Sequence, residues 1–149
     1  MDTKKEKMFF GGLVILYRRN KNNLEFLVVE NSKTKNITFV GGAKEDNDNS
    51  VIDAINREIY EELGLQPTLI KLRLTKTRHE FIFGGKKEER VGHRGSYQVF
   101  LADVTIMSNS ITHTKELRSI KWLNKNEVLD SLSFPDLKDV FLKATENLV

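Results

Sequence analysis

Two glutamates stand where an amphipathic helix ought to be apolar, with a third at the margin, and that misplacement constrains this chain more than any other feature. Residues 50–63 carry a helical pattern that opens on a Ser50…Asp53 pair resembling a capping box and stops at Gly64. At about 100° per residue, Val51, Ile52, Ala54, Ile55, Ile59 and Leu63 fill one arc of the wheel, and Asp53, Asn56, Arg57 and Tyr60 take the other. Glu58 and Glu62 fall inside the apolar arc, between Ala54 and Ile55, with Glu61 at its margin. Acids are almost never buried without a partner, so the placement asks for a cation or a cleft. Spaced at i, i+3 and i+4, the three side chains converge on one patch and repel one another, more so when desolvated. A hard divalent ion turns that repulsion into binding. Mg²⁺, with Mn²⁺ as a substitute, takes a few carboxylate oxygens and keeps its other positions for water and phosphate. The competing reading is a solvated acidic face with Arg57 paired to Glu61 at i+4. The wheel geometry, with Gly41-Gly42 just upstream, argues against it.

Around this helix the pattern is that of one α/β domain spanning residues 1–149, with a mixed sheet. Strand-like runs open the chain at Phe9–Tyr17, Glu25–Glu30 and Ile37–Val40; Gly41-Gly42 ends the third, and a loop rich in Asp and Asn reaches Asn49. After the helix come strand patterns at Leu69–Phe83 and Tyr97–Val104, joined by a polar connection over Gly84–Gly95. A short strand at Ile120–Leu123 precedes helical patterns near Asn126–Leu132 and Asp136–Leu148. No repeat or biased tract is present. Zero cysteine excludes disulfide scaffolds, thiolate metal sites and cysteine nucleophiles. Lys4, Lys5 and Lys7 before an apolar run mimic a secretory signal, but the run is too short for a membrane span, which needs about 20 residues. Asp2, Glu6, Arg18 and Arg19 break the signal pattern. The segment reads as a first strand, and the expectation is a cytoplasmic protein without membrane contact.

The run Arg57-Glu58-Ile59-Tyr60-Glu61-Glu62-Leu63-Gly64-Leu65 resembles the second half of the Nudix box: Gly, five residues, Glu, seven residues, then Arg-Glu-apolar-x-Glu-Glu-x-Gly-apolar. All seven specified positions of that half match. The first half departs from it. Counting back from Arg57, the family's glutamate slot holds Asn49 and its glycine slot Ala43; counting forward from Gly42, the acidic slot holds Asp48, with one extra residue before Arg57. In the family this acid helps hold the box arginine, so the support here would come from a shorter or an uncharged side chain. Val40 stands where a proline often precedes the paired glycines.

The resemblance implies an α/β/α sandwich and hydrolysis of a pyrophosphate bond in a nucleoside diphosphate derivative, by water attacking phosphorus. It implies Glu61 and Glu62 as primary metal ligands, Glu58 as ligand or general base, and Arg57 as the residue that orients Glu58. Gly41 and Gly42 would leave room for metal or phosphate, and Gly42 reads equally as a turn glycine. Glu45 is a further ligand or a solvated acid. Glu116, six residues before Trp122, is similar to a distal family glutamate that reaches the metal; Glu88 and Glu89 compete with it.

Charge adds one more clue. The net charge of +3 conceals two opposed blocks: net −6 over Glu45–Glu62 and net +5 over Lys71–Arg94. The second block, interleaved with Phe81, Phe83, His79 and His93, reads as an electropositive rim with aromatics for a base, in which Arg78, Arg94 and Phe81 would contact substrate. Its rival reading is strand core and solvated lysines. His79 and His93 read as surface or satisfied histidines. The partner expected is a small anionic nucleotide, a nucleoside triphosphate (oxidised ones included) or a dinucleoside polyphosphate, and not DNA. A nucleotide-binding sensor with little turnover and an RNA 5′-end pyrophosphohydrolase are the alternatives.

Overall fold

The structure is a computed structural model that describes residues 7–84 and 90–148. Among the described residues seven strands form one mixed sheet: β1 (Met8–Asn20), β2 (Asn23–Asn31), β3 (Ile37–Thr38), β4 (Val40–Ala43), β5 (Arg73–Ile82), β6 (Arg94–Asp103) and β7 (Leu117–Leu123). The helices are α1 (Val51–Leu63), α2 (Lys125–Ser131) and α3 (Pro135–Thr145). Strand order is β3-β2-β1-β6-β5, with β4 also paired to β1 and β7 to β2. β1 and β6 run parallel, from Met8↔Arg94 to Tyr17↔Asp103, while β2 and β4 are antiparallel to β1.

β1 is buried without a break from Gly11 to Tyr17 because both faces of the sheet are covered. Leu13, Ile15 and Tyr17 join Phe26, Phe39, Val99 and Phe141 in a core beneath α2 and α3. Val14 and Leu16, on the other face, join Ile55, Ile59, Leu63 and Phe100 beneath α1. The result is an α/β/α sandwich. No helix among the described residues is long and apolar enough to cross a membrane.

The ends of α1 follow the sequence. The Ser50 side chain accepts the Asp53 N–H at 3.1 Å, and Gly64 closes the helix at φ 68°, donating its N–H to the Tyr60 carbonyl. The third strand differs from expectation. It splits at buried Phe39 into β3, paired to β2, and β4, paired to β1, so Gly41-Gly42 lie inside a strand rather than at its end. Their register opposite Gly12 and Leu13 brings two glycine-bearing strands together under α1. The expected Leu69–Phe83 strand starts only at Arg73, because Pro67–Leu69 form a 3-10 turn, and the last helix stops at Thr145.

Candidate active site

The side chain that organises the site is Arg57. Its Nε donates to Asp48 Oδ1 at 3.1 Å and its Nη2 to Asp48 Oδ2 at 3.0 Å, a two-pronged pair with a carboxylate that is buried. The same Asp48 Oδ2 accepts the Glu45 backbone N–H at 2.9 Å, which pins the loop between β4 and α1 to the helix. The third nitrogen of Arg57, Nη1, donates to Glu58 Oε1 at 3.1 Å, and Nη2 reaches the Ala43 carbonyl at 3.4 Å. The i,i+4 pair with Glu61 also forms, at 3.5 Å, as one contact among several. Hydrogen bonds from Arg57 hold the Asp48 carboxyl below the usual carboxylate range, and the Asp48 bonds raise Arg57 above its already high value. Of the two acidic slots open in the sequence, Asp48 is the one that meets Arg57; Asn49 is exposed and bonds only locally, donating its N–H to Asp53.

Glu58, Glu61, Glu62 and Glu116 line one cleft of about 620 Å³, together with Gly41, Gly42 and Glu45. Glu116 arrives there because Thr114 caps the end of α1. The Thr114 N–H donates to the Glu62 carbonyl at 3.0 Å and its hydroxyl to the Glu61 carbonyl at 2.6 Å. Ser32, at the end of β2, clasps the same loop through the carbonyls of Lys115 and Glu116. Gly42 is glycine because a Cβ there would stand 2.8 Å from Glu58 Oε1.

Burial is the main charge-shifting influence on two of the acids. It raises Glu58 above the usual carboxylate value, partly offset by Arg57, and pushes Glu62 up to about 8, with the negative charges of Glu58, Glu116 and Glu61 adding to it. Glu62 Oε2 is buried with no hydrogen-bond partner. A lone carboxylate oxygen among three other carboxylates has the chemistry of a hard-cation ligand. Among the described residues the acids do not converge into a ready-made cage. Mg²⁺ does not require one, because it binds through one or two carboxylates and retains water.

A second cavity of about 500 Å³ adjoins the first and shares Gly41, Gly42 and Tyr97 with it. Its wall is aromatic: Phe81 lies 4.9 Å from Tyr97 and 4.8 Å from Phe83, both edge-to-face, and His79 stacks on Phe81 at 4.6 Å. Tyr97 lines both cavities, and burial lifts its hydroxyl to about 12, so the group stays protonated.

The structure gathers Arg57, Glu58, Glu61, Glu62, Glu116, Gly41 and Gly42 in the cleft and Phe81 in the aromatic cavity. It does not bring Arg78 or Arg94 to either. Arg78 projects from the face of β5 opposite Phe81 and donates to the buried Ser96 hydroxyl at 2.8 Å; Arg94 is exposed at the start of β6. The +5 block is therefore no single rim: Lys71 and Arg73 line a separate groove near Ile106. Glu88 and Glu89 lie outside the described residues. His93 is satisfied, its Nδ1 accepting the Lys7 N–H at 3.1 Å; the His79 Nε2 meets Asp136 Oδ2 at 2.8 Å while its Nδ1 is buried without a partner. Sequence reasoning missed Tyr97, which reads as an ordinary strand residue, and Arg90, whose only signal was membership of the basic block.

The NUDIX domain profile matches residues 11–144 of the chain. Among curated protein sequences none matches. Solved structures of similar fold include an Ap4A hydrolase binary complex from C. elegans, 17% identical, covering 95% of this chain and 96% of that one at a TM-score of 0.75. A dihydroneopterin triphosphate pyrophosphohydrolase from E. coli is 16% identical over 95% and 97% of the two chains, TM-score 0.73. The NUDIX domain of Shewanella oneidensis NrtR, complexed with ADP ribose, is 15% identical over 99% and 91%, TM-score 0.69. With its profile match running from β1 to α3, the chain belongs to the NUDIX domain family, whose enzymes are pyrophosphohydrolases.

Proposed function

We propose that this chain is a Mg²⁺-dependent pyrophosphohydrolase acting on a nucleoside diphosphate derivative, with nucleoside triphosphates (oxidised ones included) and dinucleoside polyphosphates as its substrates. The observation that carries the reading is the buried, partnerless Oε2 of Glu62 in a cleft that also holds Glu58, Glu61 and Glu116. The adjoining aromatic cavity supports a substrate with a flat base at one end and phosphates at the other. The named activities of the C. elegans and E. coli structures fit that class. Such chemistry suits the cytoplasm, where nucleotides and Mg²⁺ are at hand.

Glu61 and Glu62 would hold the metal, with Glu116 of the same cleft as a further ligand; Mn²⁺ would serve as well. Once bound, the ion would neutralise phosphate charge and polarise a water. The protein's own part is to place and deprotonate that water. Arg57, fixed from behind by Asp48, engages Oε1 of Glu58 and leaves Oε2 to take the proton, and the raised affinity of Glu58 for a proton suits a base. Gly42 keeps that carboxylate's place clear. Tyr97 lines both the base and the phosphate cavities.

The test is a substrate panel scored for phosphate and nucleoside monophosphate release with and without Mg²⁺, run alongside Glu61→Gln. Mg²⁺-dependent release that the variant loses while keeping its fold supports the reading. Near wild-type turnover in Glu61→Gln removes the metal assignment. Binding without release identifies a sensor instead, and salt-sensitive activity on triphosphorylated RNA above that on free nucleotides identifies an RNA-end enzyme.

A further inference from the structure

One cation in the carboxylate cleft is unspoken for. Arg57 is committed to Asp48 and Glu58. Lys33 and Lys115 line the cleft but are exposed, long and freely hydrated. Arg90 is different: it is half-buried, and its guanidinium lies 5.6 Å from the Phe9 ring centroid and 5.9 Å from that of Phe83. Its Nε is buried without a partner, and among the described residues the guanidinium has no hydrogen bond or ion pair, although five glutamates line the same cleft. An arginine beside carboxylates normally pairs with one of them. This one is restrained by ring contacts that consume none of its N–H donors.

We propose that Arg90 is the phosphate-binding cation of the site and grips the substrate phosphate nearest the nucleoside. Its position says which phosphate. Phe83, which flanks Arg90, is also part of the wall of the aromatic cavity, so Arg90 stands where the carboxylate cleft borders that cavity. A substrate with its base among the aromatics and its reacting phosphate at the glutamates passes its inner phosphate beside Arg90. A guanidinium fork matches two oxygens of that phosphate, which an ammonium does not. It also supplies positive charge that two metal charges alone lack in a cleft lined by Glu45, Glu58, Glu61, Glu62 and Glu116. The assignment rests on the pyrophosphohydrolase reading, and its test separates the two.

Arg90→Met and Arg90→Gln keep bulk between the two rings while removing the charge, and whichever retains the wild-type melting midpoint is the one assayed. The readouts are steady-state kinetics on the best panel nucleotide, calorimetric affinity for inorganic tripolyphosphate with Mg²⁺, and affinity for Mn²⁺ alone. The expected result is a KM raised about 10–100-fold with kcat within about threefold, and tripolyphosphate affinity weakened by a similar factor. Mn²⁺ affinity stays unchanged. Arg90→Lys recovers part of the loss and not all of it. Unchanged KM and tripolyphosphate affinity overturn the assignment, as does a loss that falls on kcat and Mn²⁺ binding alone. If no panel substrate turns over while tripolyphosphate affinity still depends on Arg90, the hydrolase reading fails and the anion site stands.

Discussion

Replacing Glu62 by glutamine should stabilise the metal-free protein while removing its activity. The cost lies in the carboxylate itself. Burial, reinforced by the charges of Glu58, Glu116 and Glu61, raises Glu62 from an ordinary value of 4.5 to about 8 in the folded chain. Between those two values the unfolded chain has released this proton and the folded chain still holds it. The unfolded state then binds fewer protons, so folding stability falls as pH rises through that window. At about 1.4 kcal/mol per unit, the gap amounts to roughly 3 kcal/mol at pH 7 and somewhat more at pH 8. Glutamine carries no charge to bury. Because the cleft is open to water and its acids can relax, roughly 1–3 kcal/mol of this is recoverable, or about 3–10 °C in melting midpoint for a chain of this size.

The assay is calorimetric melting of wild type and Glu62→Gln in chelator at pH 5 and pH 8. The two proteins should melt close together at pH 5, with the variant clearly ahead at pH 8. Saturating Mg²⁺ should reverse the order at pH 8, since a ligand at a hundredfold its Kd adds about 2.7 kcal/mol to the protein that binds it. A variant no more stable than wild type at pH 8 in chelator would refute the reasoning. So would a gap of equal size at both pH values, which would point to packing rather than charge.

The other substitutions test geometry. Gly42→Ala should lower kcat about 10–100-fold by pushing Glu58 out of line with little change in melting, because the new Cβ would stand 2.8 Å from Glu58 Oε1; kinetics beside a thermal melt decide it. Asp48→Asn should cost about 1–3 kcal/mol of stability and reduce turnover. It should also remove a stabilising contribution that wild type has above the usual carboxylate range and loses as pH falls through the lowered value of Asp48, visible as a flatter acid limb in denaturant titrations. Glu116→Gln should weaken Mn²⁺ binding about tenfold; calorimetry showing unchanged stoichiometry and affinity would remove Glu116 from the site.

How much of this was legible beforehand depended on whether a residue's role follows from a period. The role of α1 does: its wheel alone places Glu58 and Glu62 among apolar neighbours, and the folded helix buries Ala54, Ile55, Ile59 and Leu63 around them. The partner of Arg57 does not, because the loop from Lys44 to Asn49 has no period and one extra residue shifts the count between Asp48 and Asn49. Tyr97 enters the site only through strand pairing across the sheet, which places it opposite Gly11 and His79, and Arg90 enters through the turn that joins β5 to β6. The basic block shows what a charge count leaves out. Along β5 successive side chains alternate between faces, so Arg78 and Phe81, three residues apart, project from opposite faces of the sheet. Threonine, histidine and phenylalanine at 77, 79 and 81 are partly buried, while lysine, arginine and glutamate at 76, 78 and 80 face water. Parity alone would have kept Phe81 with the aromatic cavity and set Arg78 aside. Arg90, beyond the end of the strand, is free of that alternation.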